Sequence, residues 1–195
     1  MRRIGLFGGT FDPIHHGHLI AAEAAKEAAK LDEVWFIPTA IPPHKDQPGA
    51  NASVRRRMLE AAIVDSPHFQ LEDLELTREG TSYTIDTVSA IQEQYPEVMF
   101  YWIVGSDMVK DLPNWRRIDE LAKRISFIGL ERPDQPSDDS ELPTFIRGRL
   151  LRANMPPIGI SSTDIRRRAK EGRSIRYMLP ETVLEIIQGD GLYES

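Results

Sequence analysis

Seven consecutive apolar residues, Val98-Met99-Phe100-Tyr101-Trp102-Ile103-Val104, constrain this chain more than anything else in its 195 residues. A strand with one wet face alternates apolar and polar side chains. A run with no such alternation must be covered on both sides, as in the middle of a parallel sheet between two layers of helices. The neighbouring segments supply candidates for both sheet and layers. Ile4 to Phe7 and Val34 to Ile37 are short β-type runs, and Leu19 to Lys30 between them is alanine-rich, with strong helix propensity. Ser53 caps an expected helix through about Val64, Phe69 to Leu76 alternates imperfectly as a strand, and Thr81-Ser82 precede a helix from Tyr83 to Gln94 that Pro96 closes. Ile118 to Arg124 reads as a helix, Ile125 to Leu130 as a strand, and Pro180 opens a last helix through Gln188. Strands alternating with helices predict an α/β fold with a Rossmann-like doubly wound parallel sheet and right-handed crossovers.

In such a sheet ligands gather beyond the carboxyl ends of the strands, where strand order reverses. Two strand exits carry the residues for it. After the first strand comes Gly8-Gly9-Thr10-Phe11-Asp12-Pro13-Ile14-His15-His16-Gly17-His18-Leu19. Gly8 and Gly9 admit conformations and close approaches that a side chain would block, and Pro13 stiffens the exit. A helix starting near His16 or Gly17 would direct free N–H groups and its positive end at an anion, with His15 and His18 three apart on one side and Gly17 leaving room between them. The alternative is a pair of histidines that only cap a helix or bind a metal. After the apolar run comes Gly105-Ser106-Asp107, where Asp107 is either a ribose or metal ligand or a helix N-cap. The dinucleotide signature Gly-x-Gly-x-x-Gly is absent after the first strand, which argues against an NAD-dependent dehydrogenase.

At 41% hydrophobic residues the chain can bury one full core, so a single domain over 1–195 is expected, with 161–195 a C-terminal helical part. It has no cysteine, which removes disulfides, thiolate chemistry and Cys-bound zinc. The apolar run after Met1-Arg2-Arg3 ends at Phe7, too short for a signal peptide or a membrane span, so we expect a cytoplasmic protein without a membrane partner. A net charge of −6 argues against general nucleic-acid binding. Residues 141–178 depart from that balance, with nine Arg or Lys against Glu141, Asp164 and Glu171. Within them, Ser161-Ser162-Thr163 opens an Arg-rich helix. Such a run is either a solvated face or an anion site. Loop 39–51 contains His44 and Lys45, which could reach an anion, and 133–143 is rich in Pro, Asp and Ser and carries no chemistry we can assign. Nothing here decides between a monomer and a homo-oligomer.

Two distant motifs coincide. His15-His16-Gly17-His18 resembles the His-x-Gly-His signature of the nucleotidyltransferase superfamily, and Ile160-Ser161-Ser162-Thr163-Asp164-Ile165-Arg166 resembles its Ile-Ser-Ser-Thr-x-Ile-Arg signature. Together with Gly105-Ser106-Asp107, Ile41-Pro42-Pro43-His44-Lys45, Ser82-Tyr83-Thr84-Ile85-Asp86-Thr87 and Pro113-Asn114-Trp115, the chain is similar to the bacterial nicotinate-nucleotide adenylyltransferases and less like their cytidylyl and pantetheine-adenylyl relatives.

The resemblance implies the nucleotidyltransferase type of the fold and transfer of AMP from ATP to nicotinate mononucleotide, with pyrophosphate released, in NAD biosynthesis. By the same resemblance His15, His18 and Arg166 act on the phosphates, and ATP also meets Gly8, Gly9, Thr10, Phe11, Gly105, Asp107, Ser161 and Ser162. Thr84 and Trp115 would meet the pyridine ring, and Lys45, His44 and Arg132 the mononucleotide phosphate. Magnesium is expected on the ATP phosphates with no protein metal site. Two alternatives stay open. One is a sister adenylyltransferase acting on nicotinamide mononucleotide or phosphopantetheine; the other is a non-catalytic nucleotide sensor.

Overall fold

The apolar run forms the strand its composition demands. The computed structural model describes residues 1–40, 48–78, 81–131 and 138–194. In chain order these form β1 (Arg2–Gly9), α1 (His16–Ala29), β2 (Glu33–Pro38), α2 (Ala52–Ile63), β3 (Phe69–Leu71), α3 (Leu74–Thr77), α4 (Thr84–Gln94), β4 (Val98–Val104) and α5 (Ser106–Val109). A single 3-10 turn at Leu112–Asn114 leads to α6 (Ile118–Arg124), β5 (Ser126–Glu131), α7 (Thr144–Arg147), β6 (Leu150–Asn154), α8 (Ser162–Lys170) and α9 (Glu181–Gly189). The strands make one sheet in the order β3-β2-β1-β4-β5-β6, with every pairing parallel.

β4 lies inside the sheet, and its side chains divide between two cores. Phe100, Trp102 and Val104 pack with Ile4 and Leu6 of β1 under α4, α6 and α7, whereas Tyr101 and Ile103 join Phe7 under α1, α2, α8 and α9. The two-residue period of the strand therefore feeds both layers, which is why no position in the run is polar. From β1 the chain steps outward to β2 and β3, then returns to the other side of β1 as β4. The reversal falls between β1 and β4, so Gly8-Gly9-Thr10 and Gly105 stand side by side at the carboxyl edge, where a ligand crevice belongs.

Three local expectations are corrected. The third strand stops at Leu71 instead of Leu76. The Glu72 amide makes a last ladder bond to the Phe36 carbonyl at 2.9 Å, and the Asp73 carbonyl then accepts from Leu76 and Thr77, winding the chain into α3. Helix α2 begins two residues early, because Asn51 and not Ser53 is its N-cap, accepting from the Val54 amide through Oδ1 at 2.9 Å. β6 was not anticipated. It is a five-residue edge strand, half exposed and interrupted by Arg152 and Asn154, so its sequence shows no apolar pattern, and its pairing with β5 alone defines it.

The loops at the carboxyl edge are held by one buried cation. Arg55 of α2 is 1% exposed and spends its guanidinium on three backbone carbonyls: Nη1 donates to Thr10 and Thr39, both at 2.8 Å, and Nε to Ala50 at 3.3 Å. Burial pulls its pKa down, and the Asp12 carboxylate opposes that shift. A neutral side chain of similar length would leave the carbonyls unpaired and Asp12 without its counter-charge. Arg55→Met should therefore cost about 3–5 kcal/mol of unfolding free energy. Urea denaturation measures it, and a loss under about 1 kcal/mol would show that the clamp is dispensable.

Candidate active site

The site is built where β1 runs into α1. His15 is the N-cap of α1, with extended backbone, and its amide donates to His18 Nδ1 at 3.3 Å. That bond leaves the His18 proton on Nε2. The two imidazoles stack with centroids 3.8 Å apart and planes 22° from parallel. Gly17 makes the stack feasible: a Cβ there would lie 2.9 Å from His15 Cε1 and Nδ1 and 3.5 Å from the Ile160 carbonyl. His18 also meets Phe11 edge-on at 5.0 Å and Phe7 at 6.2 Å. Burial, with His16 alongside, lowers the His15 pKa to about 4, so its imidazole is neutral at neutral pH.

The glycines at the strand exit serve space rather than left-handed backbone. A Cβ on Gly8 would sit 2.7 Å from the Trp102 ring, and one on Gly9 would sit 2.9 Å from Phe11. The left-handed residue of the turn is Phe11 itself (φ 49°), whose side chain is buried among Phe7, Phe36 and His18. Any contact of Phe11 with a ligand would thus be through its backbone. Thr10 is partly exposed, and its carbonyl is already taken by Arg55.

The second motif docks directly on the first. Ser161 is the N-cap of α8, accepting from the Asp164 amide at 3.1 Å, so its hydroxyl serves the helix. Ser162 Oγ donates to the Pro13 carbonyl at 2.8 Å, and Arg166 Nη1 donates to the Asp12 carbonyl at 2.7 Å. Residues about 150 apart in sequence thereby form one wall of the crevice. The rest of the basic run behaves as a solvated face. Arg167 pairs with Asp164, Arg168 donates to the Ser174 carbonyl at 2.9–3.0 Å, Arg173 meets Glu171 at 2.7 Å and Arg176 meets Glu181 at 3.2 Å.

The other wall belongs to α4 and the segment before α6. Tyr83 is the N-cap of α4, with no side-chain hydrogen bond to the helix amides, and Thr84 is its first residue. Tyr83 and half-buried Trp115 pack against the same core, with Trp115 edge-on to Trp102 at 6.4 Å and Arg116 over the Tyr83 ring at 4.4 Å. At the strand exit between the walls, Gly105 is the N-cap of α5, so Asp107 stands in the first turn and is exposed. His44, Lys45 and Arg132 lie outside the described residues. Among the described residues no group of three or more His, Cys, Asp or Glu side chains is placed to hold a metal.

Sequence reasoning missed Asp12 and its partners. Asp12 is 3% exposed and lies at the meeting point of the turn, α8 and the α2 entry. Its Oδ2 accepts from the Gly49 amide at 2.7 Å, and its Oδ1 accepts from the Ala50 amide at 3.1 Å and from the Tyr193 hydroxyl at 2.6 Å. Asp12 carried a signal, a carboxylate inside a Gly- and Pro-framed turn. Arg55 sits in the triplet Arg55-Arg56-Arg57, which marks none of the three, and Tyr193 follows the last helix with no local pattern.

Comparison with known proteins places the chain in a family. The cytidylyltransferase-like family model matches residues 6–168. A Bacillus subtilis protein named nicotinate-nucleotide adenylyltransferase is 44% identical over 196 aligned residues, covering 100% of both chains. An Oceanobacillus iheyensis protein named "Probable nicotinate-nucleotide adenylyltransferase" is 46% identical over 193 residues, covering 99% of this chain and 97% of its own. Among solved structures, the nicotinic acid mononucleotide adenylyltransferase of Plasmodium falciparum complexed with NaAD superposes with a TM-score of 0.82 at 22% identity, covering 100% of this chain and 98% of its own. That last likeness speaks for the fold; the end-to-end identities speak for descent, and by them this chain belongs to the nicotinate-nucleotide adenylyltransferase family.

Proposed function

We propose that this chain joins ATP to nicotinate mononucleotide, forming nicotinate adenine dinucleotide and pyrophosphate on the way to NAD. The observation that carries the reading is the docking of Ser162 and Arg166 onto Asp12-Pro13, which sets an arginine beside the His15–His18 pair at a helix N-terminus. One anion grip suits many ligands. Two on one crevice suit a polyphosphate that must be held while its far end leaves.

The attacking group is the 5′-phosphate of the mononucleotide, whose second pKa is about 6, so it arrives largely ionised and needs no general base. Its oxygen forms the new bond to the α-phosphorus of ATP while the bond to the bridging oxygen breaks, and pyrophosphate departs with that electron pair. The protein's share is alignment and charge. His18 donates through Nε2–H, and neutral His15 supplies a second donor without a standing positive charge. Arg166 and Ser162 steady the departing phosphates, Thr10 and the Gly8, Gly9 and Phe11 backbone place the α-phosphate, and Gly105 and Asp107 face the ribose. Asp12 has its oxygens taken by protein donors, so divalent metal, for which magnesium is our choice, travels on the ATP phosphates and supplies charge neutralisation there.

Thr84 at the uncapped start of α4 and Trp115 form the pyridine pocket in this reading, with Lys45, His44 and Arg132 assigned to the mononucleotide phosphate. Free helix amides donate to a carboxylate at both oxygens; a carboxamide turns its NH₂ toward one of them and leaves a donor unpaired. Among the described residues no helix is long and apolar enough to cross a membrane, and we assign the protein to the cytoplasm as the place of NAD synthesis.

Pyrophosphate release from ATP, measured with nicotinate mononucleotide, nicotinamide mononucleotide and phosphopantetheine in turn, tests the assignment. The acid should exceed the amide by on the order of 10²–10⁴ in kcat/KM. Comparable values would reassign the acceptor, and no release with any of the three would overturn adenylyl transfer. Arg166→Ala should weaken ATP use by about 2–5 kcal/mol, the scale for a charged pair with phosphate that bound ATP shields from water. Arg168→Ala, whose partner is a backbone carbonyl away from the turn, should stay within about 0.5 kcal/mol of wild type. Equal effects would assign the whole run to solvent.

The His15 shift makes a separate prediction about stability. Unfolded, this imidazole takes a proton below about 6.5; folded, it does so only below about 4. Unfolding therefore binds a proton between those values, and stability falls as pH drops from 6.5 to 4, by up to about 3 kcal/mol through this group. Thermal melts of wild type and His15→Gln across that range should show a shallower decline in the variant. Parallel curves would place His15 in contact with water.

A further inference from the structure

We infer that Tyr193 is a positioning residue for ATP, acting through Asp12 on Arg166; the inference rests on the adenylyltransferase reading above. It starts from a conformational cost. Tyr193 lies two residues beyond Gly191 in the segment after α9 and has φ of 65°, a left-handed backbone that is uncommon for a bulky side chain and persists only where surroundings enforce it. What enforces it is visible. The hydroxyl donates to Asp12 Oδ1 at 2.6 Å, the ring rests on Gly49, where a Cβ would come within 3.2 Å of it, and Arg57 of α2 ties down the preceding turn through Asp190 at 2.7 Å. Burial and the neighbouring Asp12 push the Tyr193 phenol well above its ordinary pKa, so the hydroxyl keeps its proton and remains a donor.

The consequence follows from how Asp12 is satisfied. Its carboxylate is 3% exposed and feels the Arg55 charge, but its hydrogen bonds come from three neutral donors: the Gly49 and Ala50 amides and the Tyr193 hydroxyl. Arg166 stands 4.0 Å from Oδ2, outside hydrogen-bond distance, and bonds instead to the Asp12 carbonyl. While the neutral donors hold the carboxylate, the Arg166 charge is available to phosphate. Without the Tyr193 hydroxyl, Oδ1 loses its shortest bond; Arg55 is held on three carbonyls, so the cation free to replace that stabilisation is Arg166, whose Nη1 stands 4.0 Å from Oδ2. The loose pair would tighten into a hydrogen-bonded one, and ATP would have to break it. The last turn of the chain thus acts at the phosphate end of the crevice without touching substrate.

The test uses the full chain, with ATP affinity measured by calorimetry and steady-state kinetics varied in each substrate. Tyr193→Phe keeps the ring and removes the donor. It should raise Kd and KM for ATP by about tenfold, the scale for one bond to a charged group, and leave KM for the mononucleotide within about twofold. On an Arg166→Ala background it should add nothing, because the route to ATP is already gone; a merely structural role would add its loss there too. Gly49→Ala keeps the hydroxyl and displaces it, and should show the same ATP-selective rise, which decides the matter should Tyr193→Phe fail to fold. Unchanged ATP constants in the folded variants, or equal rises for both substrates, would overturn the inference. A wild-type protein that binds ATP but releases no pyrophosphate would instead overturn the proposed reaction, leaving the calorimetric comparison to judge Tyr193.

Discussion

A buried negative charge organises the carboxyl edge of this sheet. Asp12 belongs to the turn after β1, yet the groups that satisfy it come from the α2 entry, the segment after α9 and, through its carbonyl, α8. A carboxylate removed from water is costly unless donors surround it, so each of these segments must be in place for the turn to be stable. Arg55 completes the arrangement from below by binding the Thr10, Thr39 and Ala50 carbonyls. The turn after β1 is therefore held in place from outside itself. That rigidity is what a site relying on alignment and charge requires.

The crevice has two walls of different chemistry because the sheet has two layers. On the α1 and α8 side, two stacked imidazoles and one arginine meet near helix N-termini, the side to which the proposed function assigns polyphosphate. On the α4 and α6 side stand aromatic rings and a helix start without a side-chain cap, the side to which the proposed function assigns the pyridine ring and its carboxylate. The strand reversal between β1 and β4 puts these walls on either side of the crevice at the carboxyl edge, as the proposed reaction between two bound substrates requires.

The arginines of the C-terminal third show why local charge density is a poor guide to function. Arg152, Arg167, Arg173 and Arg176 are spent on nearby carboxylates, and Arg168 closes the end of its own helix on the Ser174 carbonyl. Surface pairs of this kind contribute little and are screened by salt. Arg166 differs only in the direction in which α8 points it, and that direction follows from Ile165 being buried in the core beside it.

Much of this was legible in the chain. The unbroken apolar run pointed to a two-sided parallel strand, because that arrangement buries consecutive side chains on both faces, as it does from Phe100 to Val104. The Gly-framed turn with three histidines and the Ser-Ser-Thr helix start were readable because caps, glycines and spacing act over a few residues. What the sequence could not show were effects decided by distant partners. The third strand ended at Leu71 because the Glu72 amide had found Phe36 and the chain could turn; β6 exists because β5 offers an edge; Asn51 capped α2 ahead of Ser53. The same holds for the site. Which of three adjacent arginines is buried, and that Tyr193 reaches Asp12 across 181 residues of sequence, are consequences of packing, since hydrogen bonds to a buried charge are set by which segments the core brings together and not by the residues beside them in the chain.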